Sequence, residues 1–155
     1  MRYIRGTIDL GLSYRKEDGD VSLVGFSDSD HAGDTLTRRS RTGFVVFLNN
    51  APIYWNSKKQ TSCETSTFGS EFVAMKQATE YIRGLRYKLR MMGILVDEPA
   101  FVFGDNCKHF CTHINVNIEH FVCEGCARDE WRTAYINMHD NVADLLTKPL
   151  PSGEK

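Results

Sequence analysis

Four carboxylates lie at positions of this sequence where the surrounding pattern predicts burial: Asp28, Glu71, Asp105 and Asp144. An unpaired charge is costly in such surroundings, so each acid needs a partner that compensates for the lost water. Hard cations such as Mg²⁺ bind carboxylate oxygens, and two close together can activate water and stabilise the leaving oxygen of a phosphodiester. Each acid taken alone is explained equally well as a helix cap or a surface residue. Their joint placement indicates a shared cation site.

Length and composition fit one globular domain. The 155 residues suffice for a hydrophobic core, and 41% of them are apolar, which is more than a disordered chain contains. The net charge of −1 does not by itself indicate nucleic-acid binding. Five cysteines without a secretory signal favour reduced thiols, and no stretch approaches the roughly 18 consecutive apolar residues of a membrane span. We therefore expect an intracellular, cytoplasmic protein that is not secreted and has no membrane partner.

Hydrophobic periodicity predicts the strands that position these acids. A strand ending in Asp28 and two further strands, over 42–48 and 53–55, are expected to form an antiparallel set. A buried strand over 101–105 also ends in an acid, and a last strand is predicted over 131–138. Ligands collect beyond the carboxyl ends of strands in α/β sheets. The two strand-end acids are therefore expected to converge.

A long helix is predicted between the third and fourth strands. The Ser/Thr cluster at 61–67 offers several N-caps, including a capping-box spacing from Thr61 to Glu64, and Gly93 offers a C-terminal stop. Apolar residues recur along it every three or four positions, as on the buried face of a helix. Glu71 falls within that apolar stripe, near the helix N-terminus, where the helix dipole favours an anion.

The remaining acid, Asp144, lies in a short closing helix predicted over 141–146 and ended by Pro149. The segment 106–127 has no sustained period and shows only fragments of a helical pattern. The predicted order is three strands, a long helix, a strand, an irregular helical region, a strand and a closing helix. This order is typical of an α/β layered domain with a mixed sheet.

Six blocks of the sequence share their order with one known family. They are GFSDSDHAGD at 25–34, RSRTGF at 39–44, PIYWNSKKQ at 52–60, STFGSEFVA at 66–74, GDN at 104–106 and ADLLTKPL at 143–150. In these blocks the chain resembles the ribonuclease H domain of copia-type LTR retrotransposon Pol polyproteins. The lead-in YIRGT at 3–7 is similar to the end of the reverse-transcriptase region of such polyproteins.

The resemblance implies a ribonuclease H-like fold. This fold has a mixed five-stranded sheet, with three antiparallel strands followed by parallel ones, flanked by helices. The resemblance also implies three parts of the chain. Residues 1–20 would be the tail of a reverse-transcriptase or connection region, 21–150 the ribonuclease H-like domain, and 151–155 a C-terminal tail.

The resemblance further implies an activity and its residues. Asp28, Glu71, Asp105 and Asp144 would hold two Mg²⁺ ions, with Mn²⁺ as a substitute, and the domain would cleave the RNA strand of an RNA/DNA hybrid endonucleolytically. Basic side chains are predicted to contact the substrate phosphates: Arg38, Arg39, Arg41, Lys58 and Lys59. A covalently linked or associated reverse transcriptase would be the protein partner, within a virus-like particle if the element is active.

The stretch 106–120 departs from the family pattern and leaves other hypotheses open. Residues of the types that bind zinc recur there and just beyond: Cys107, His109, Cys111, His113, Cys123 and Cys126. Their spacing fits no standard zinc module. A second hypothesis is therefore a zinc-binding module, and a third is a decayed, non-catalytic remnant that binds nucleic acid without cutting it.

Overall fold

The structure is a computed structural model that describes residues 8–14, 20–105 and 118–148. Its elements are β1 Leu23–Asp30, β2 Arg41–Leu48, β3 Ala51–Lys59, α1 Thr67–Met91, β4 Ala100–Gly104, α2 Ile118–Ala127 and β5 Trp131–Tyr135, followed by 3₁₀ helices at Met138–Asp140 and Val142–Leu146. The order predicted from periodicity is confirmed. The closing helix is a 3₁₀ helix, and the last strand ends at Tyr135, three residues earlier than predicted.

The five strands form one mixed sheet in the order β3-β2-β1-β4-β5. Strand β2 is antiparallel to β1 and β3, whereas β4 is parallel to both β1 and β5. The predicted mixed sheet is thus confirmed. Because β1 and β4 are parallel neighbours, Asp28 on β1 and Asp105 just after β4 lie at the same edge of the sheet. Strand β1 does not end at Asp28 but continues to Asp30, which pairs with Arg41 of β2.

Helix α1 begins later than the earliest cap that the sequence offers. Ser66 is the N-cap, and its hydroxyl accepts a 3.0 Å hydrogen bond from the backbone N–H of Gly69. The Thr61 to Glu64 capping box is therefore not the start of the helix, because Ser66 lies directly before the first helical residue. The helix is followed by Gly93 at φ 78°, a backbone conformation that glycine adopts without strain.

The hydrophobic core lies between α1 and one face of the sheet. Each fully buried Ile, Phe or Met side chain there contributes about 1.5–3 kcal/mol relative to exposure. The buried apolar residues of this core are Leu23, Phe44, Val46, Phe72, Met75, Ala78, Ile82, Leu89, Ala100, Val102, Val122 and Trp131. None of the helices in the described ranges combines the length and apolarity needed to cross a membrane.

Helix α2 is held against β5 by the fully buried Trp131. The indole Nε1 donates a 3.1 Å hydrogen bond to the backbone oxygen of Val122. Gly125 allows this packing, since a Cβ there would lie 1.9 Å from the indole ring. The Arg83 guanidinium lies 4.9 Å from the Trp131 ring centroid and forms a 2.7 Å ion pair with Glu130. These contacts fix the start of β5 to α1 and α2.

Candidate active site

Three of the four predicted carboxylates meet at the edge of the sheet shared by β1 and β4. One oxygen atom from each of Asp28, Glu71 and Asp105 lies within 4.8 Å of the other two. Asp28 and Glu71 are 4% and 5% exposed, and Asp105 is half-buried. We call these residues the carboxylate triad. Asp144, on the closing 3₁₀ helix Val142–Leu146, is not within that distance of all three, but its charge acts on Asp28 and Asp105.

The fixed position of Glu71 depends on contacts between α1 and β1. The backbone N–H of Ser29 donates a 3.3 Å hydrogen bond to Glu71 Oε1, and the Ser29 hydroxyl donates to Ser70 Oγ at 2.8 Å. Gln60 Nε2 donates to the backbone oxygen of Ser70 at 2.9 Å. The first turns of α1 are thereby held on β1 and on the end of β3, and Glu71 faces inward, as the helical phase predicts.

The closing 3₁₀ helix is anchored to the sheet by Asn141. The Asn141 side-chain amide donates a 2.9 Å hydrogen bond to the backbone oxygen of Ser27, and its oxygen accepts a 3.2 Å bond from the N–H of Ala143. Gly43 of β2 lies underneath. A Cβ at Gly43 would lie 2.7 Å from Thr147 Cγ2, so the helix packs directly on bare backbone.

Two residues after this helix connect it to the acids. The Thr147 hydroxyl hydrogen-bonds to the carboxylate of Asp28, and Lys148 Nζ lies 2.5 Å from Asp144 Oδ1. Sequence reasoning did not assign a role to Thr147 or Lys148. Their spacing of three and four residues after Asp144 is the signal that could have identified them, because such residues lie on the same face of a helical turn.

Burial and mutual repulsion raise the pKa values in the triad. Burial, then the charges of Asp105 and Asp28, raise the pKa of Glu71 to about 8, against the opposing effect of the Ser29 hydrogen bonds. Burial is also the main cause of the raised pKa of Asp28 and of Asp105, and the charge of Asp144 adds to both. Perturbed carboxylates of this kind cluster at functional sites.

The triad fits a hard divalent cation. Asp105 Oδ1 is buried and has no hydrogen-bond partner among the described residues. An oxygen that accepts no hydrogen bond is free to bind a cation. Together with the two other carboxylates it offers the oxygen ligands that Mg²⁺ and Mn²⁺ prefer. Within residues 8–14, 20–105 and 118–148, the triad is the one group of three or more His, Cys, Asp or Glu residues arranged to hold a metal ion.

The residues of the zinc hypothesis do not form such a group where the structure describes them. Cys107, His109, Cys111 and His113 lie outside the described residues. Cys123 is exposed and Cys126 is half-buried on α2, and neither belongs to a described group of ligands.

The five predicted phosphate-contacting residues separate into two sets. Arg39, Arg41 and Lys59 line a cavity of about 610 Å³ beside the triad. Arg38 and Lys58 are exposed but do not line it. Lys58 projects to the other face of β3 from Lys59, because side chains alternate along a strand.

Comparison with known proteins reveals relatives over almost the whole chain, although no protein-family model matches it. The chain is 31% identical to the "Retrovirus-related Pol polyprotein from transposon RE2" of Arabidopsis thaliana, over 97% of its length. It is 29% identical, over the same share, to the polyprotein from transposon TNT 1-94 of Nicotiana tabacum. The chain spans only 11% and 12% of those two polyproteins.

A solved structure of LC11-RNase H1 in complex with an RNA/DNA hybrid matches the fold. Its TM-score is 0.57 at 15% identity, over 81% of this chain and 93% of that one. The fold of the described chain is therefore that of ribonuclease H. The chain itself is homologous to one segment of copia-type retrotransposon Pol polyproteins, as the sequence blocks indicate.

Proposed function

We propose that this chain is a retrotransposon-type ribonuclease H that hydrolyses the RNA strand of RNA/DNA hybrids endonucleolytically with two divalent cations. The observation that carries this proposal is the carboxylate triad, with its ligand atoms within 4.8 Å, in a ribonuclease H fold. LC11-RNase H1, which shares this fold, was solved in complex with an RNA/DNA hybrid, and this supports the choice of substrate. Mg²⁺ is the proposed cofactor, and Mn²⁺ is its substitute.

Asp28, Glu71, Asp105 and Asp144 would hold the cations. When bound, divalent cations lower the pKa of water and neutralise charge that develops on the phosphate oxygens. The chain supplies the geometry: Asp28 is oriented by Thr147, and the other acids come from α1, the end of β4 and the closing 3₁₀ helix. Because these acids come from different elements, the site exists only in the folded chain.

Glu71 gives the site a proton to release. With its pKa raised to about 8, its carboxyl group is mostly protonated at neutral pH when no cation is present. Compensation of the negative charge in the triad lowers that pKa and frees the proton. Occupancy of the site is therefore proposed to increase with pH.

The wider context of the domain is also a proposal. Homology to Pol polyproteins over 97% of the chain supports residues 1–20 as the end of a reverse-transcriptase region and 21–150 as the ribonuclease H-like domain. It supports a linked or associated reverse transcriptase as the partner, and an intracellular place of action.

The test is cleavage of an RNA/DNA hybrid carrying a different label on each strand. We expect the RNA strand alone to be cut in Mg²⁺, and no cutting in EDTA or of DNA and RNA duplexes of the same sequence. Cutting of the DNA strand, or of the hybrid in EDTA, would contradict the proposal. Hybrid binding without any Mg²⁺-dependent cutting would favour the non-catalytic remnant instead.

A further inference from the structure

We propose that the cavity beside the triad binds one backbone phosphate of the cleaved RNA strand, next to the scissile phosphate. This inference rests on the proposed function, because it deepens the account of the same substrate. We call the cavity the basic cavity. It is lined by four cationic side chains, Arg39, Arg41, Lys59 and Lys148, and by two carboxylates.

Two of those cations are already neutralised by carboxylates. Lys59 forms an ion pair with Asp34, which also accepts hydrogen bonds from Thr37 and from the backbone N–H of Leu36. Lys148 pairs with Asp144. In contrast, neither Arg39 nor Arg41 has a carboxylate within ion-pair distance among the described residues. The second lining carboxylate, Asp30, is the register partner of Arg41 but forms no described ion pair with it. The cavity thus presents two guanidinium groups outside any described ion pair, and its four cations outnumber its two carboxylates.

The backbone that carries these two arginines is held in place. Arg39 and Arg41 flank Ser40, which is fully buried. The Ser40 hydroxyl accepts a 3.1 Å hydrogen bond from the N–H of Ala32, and its backbone oxygen accepts a 2.8 Å bond from the N–H of Gln60. Arg41 Nη1 also lies 3.5 Å from Ser57 Oγ. Because guanidinium groups bind phosphate through paired N–H donors, two of them on a fixed backbone suit a phosphate.

The position of the cavity identifies which phosphate it would take. Its lining includes Thr147 and Lys148, which themselves contact Asp28 and Asp144. The four acids do not line the cavity themselves, but Thr147 and Lys148 contact both the cavity and two of the acids. The minor groove of an A-like hybrid is wide, so the phosphates of the opposite strand lie far from the scissile phosphate. The phosphate nearest to it is therefore the neighbouring one of the same strand. We assign that phosphate to the basic cavity.

The chain provides a matched control for the test. The double variant Arg39→Gln with Arg41→Gln removes two charges from the cavity. The double variant Lys88→Gln with Arg90→Gln removes two exposed charges from the last turn of α1, outside the cavity. Binding to a labelled hybrid is measured in EDTA across a range of salt concentrations, so that no cleavage is required.

We expect the cavity variant to bind about tenfold more weakly at 0.1 M salt, a fold-change of the size of one lost charge-assisted contact. The slope of log affinity against log salt should fall by about one, as for one lost phosphate contact. The control variant should change both quantities much less. Equal weakening by the two variants would overturn the assignment, because it would show a diffuse charge effect.

A second measurement locates the phosphate. Single neutral methylphosphonates are placed in turn along the RNA strand, and hybrid affinity is measured for the wild-type chain and the cavity variant. At one position beside the cleavage site, the wild-type chain should lose affinity while the cavity variant loses none further. Losses of equal size in both proteins at every position would contradict the inference.

These measurements separate the inference from the proposed function. If the chain and its variants bind the hybrid in the expected pattern but the chain does not cut it in Mg²⁺, the proposed activity is contradicted. The assignment of a phosphate to the basic cavity is then still supported. If the chain cuts the hybrid but the cavity and control variants bind it equally well, the proposed activity is supported and the phosphate assignment is contradicted. Absence of hybrid binding by the wild-type chain overturns both.

Discussion

The Thr147 hydroxyl hydrogen-bonds to the carboxylate of Asp28 across 119 positions of sequence. Both residues are buried, at 3% and 4% exposure. A hydrogen bond to the charged form of an acid favours that form, so this contact offsets part of the rise in the pKa of Asp28 that burial causes. Thr147, which follows the closing 3₁₀ helix, thereby lowers the pKa of an acid on β1.

Replacing Thr147 should show how much its hydrogen bond lowers the pKa of Asp28. Thr147→Val keeps the shape of the side chain but removes the donor, so the pKa of Asp28 should rise further. We expect the acidic limb of the pH profile for hybrid cleavage to move up by about one pH unit. The Mg²⁺ concentration for half-maximal rate should rise with it. Thr147→Ser keeps the hydroxyl and should restore the wild-type profile, whereas an unshifted limb in Thr147→Val would contradict this role.

Glu71 should make the cation-free protein less stable as pH rises. Its pKa is about 8 in the folded chain and near 4.5 when unfolded, so the folded state holds the extra proton between these values. Stability is then present at low pH and falls as pH rises, with a slope of about 1.4 kcal/mol per pH unit for one proton. The raised pKa values of Asp28 and Asp105 act in the same direction.

Thermal unfolding in EDTA from pH 5 to pH 8 measures this effect. We expect the melting temperature to decrease with pH, and Glu71→Gln to flatten the decrease and stabilise the chain at pH 8. Mg²⁺ should raise the melting temperature of the wild-type chain most at high pH. Glu98→Gln, at an exposed position, is the control and should follow the wild-type curve. A wild-type melting temperature that increased across this range would disprove the buried-charge explanation.

Much of the site could be predicted because it follows from local periodicity. Glu71 lies in the apolar phase of α1, so its inward direction is a property of the helix itself. Asp28 and Asp105 follow apolar strand patterns, and the general rule for strand ends in α/β sheets places them together. These inferences needed only short stretches of sequence and one rule of topology.

The contacts that the sequence did not reveal are those between distant segments. Nothing near Thr147 indicates that its partner is Asp28, because that contact depends on the closing 3₁₀ helix packing on β2. Similarly, nothing in the sequence around Lys59 indicates its ion pair with Asp34, which lies in the loop between β1 and β2. The choice of Ser66 among many Ser and Thr residues as the N-cap also depends on how α1 docks on the sheet.

Gly43 should be essential for the position of the closing 3₁₀ helix. In Gly43→Ala the new methyl group would lie 2.7 Å from Thr147 Cγ2 and 2.9 Å from the backbone oxygen of Ala143. We expect a loss of about 1–3 kcal/mol in the free energy of unfolding, as for an overpacked site, and a larger loss of cleavage. The measurements are chemical denaturation and hybrid cleavage.

A second glycine gives the control for that substitution. Gly84 is exposed on α1, and a methyl group added there would meet no described atom of another element within 4 Å. Gly84→Ala should therefore stabilise the chain by roughly 0.5–1 kcal/mol and leave cleavage unchanged. If Gly43→Ala matched Gly84→Ala in stability and activity, the closing helix could not lie as close to Gly43 of β2 as described.

The most direct test of the proposed catalytic centre is the rate at which Asp105→Asn cuts the RNA strand of a hybrid in Mg²⁺. Asn keeps the size of the side chain but removes the charge, so we expect cleavage to fall on the order of 10³-fold while hybrid binding in EDTA persists. Asp97→Asn, at a position outside the triad, should cut like the wild-type chain. Equal cutting by Asp105→Asn and the wild-type chain would contradict the assignment of the triad as the catalytic centre.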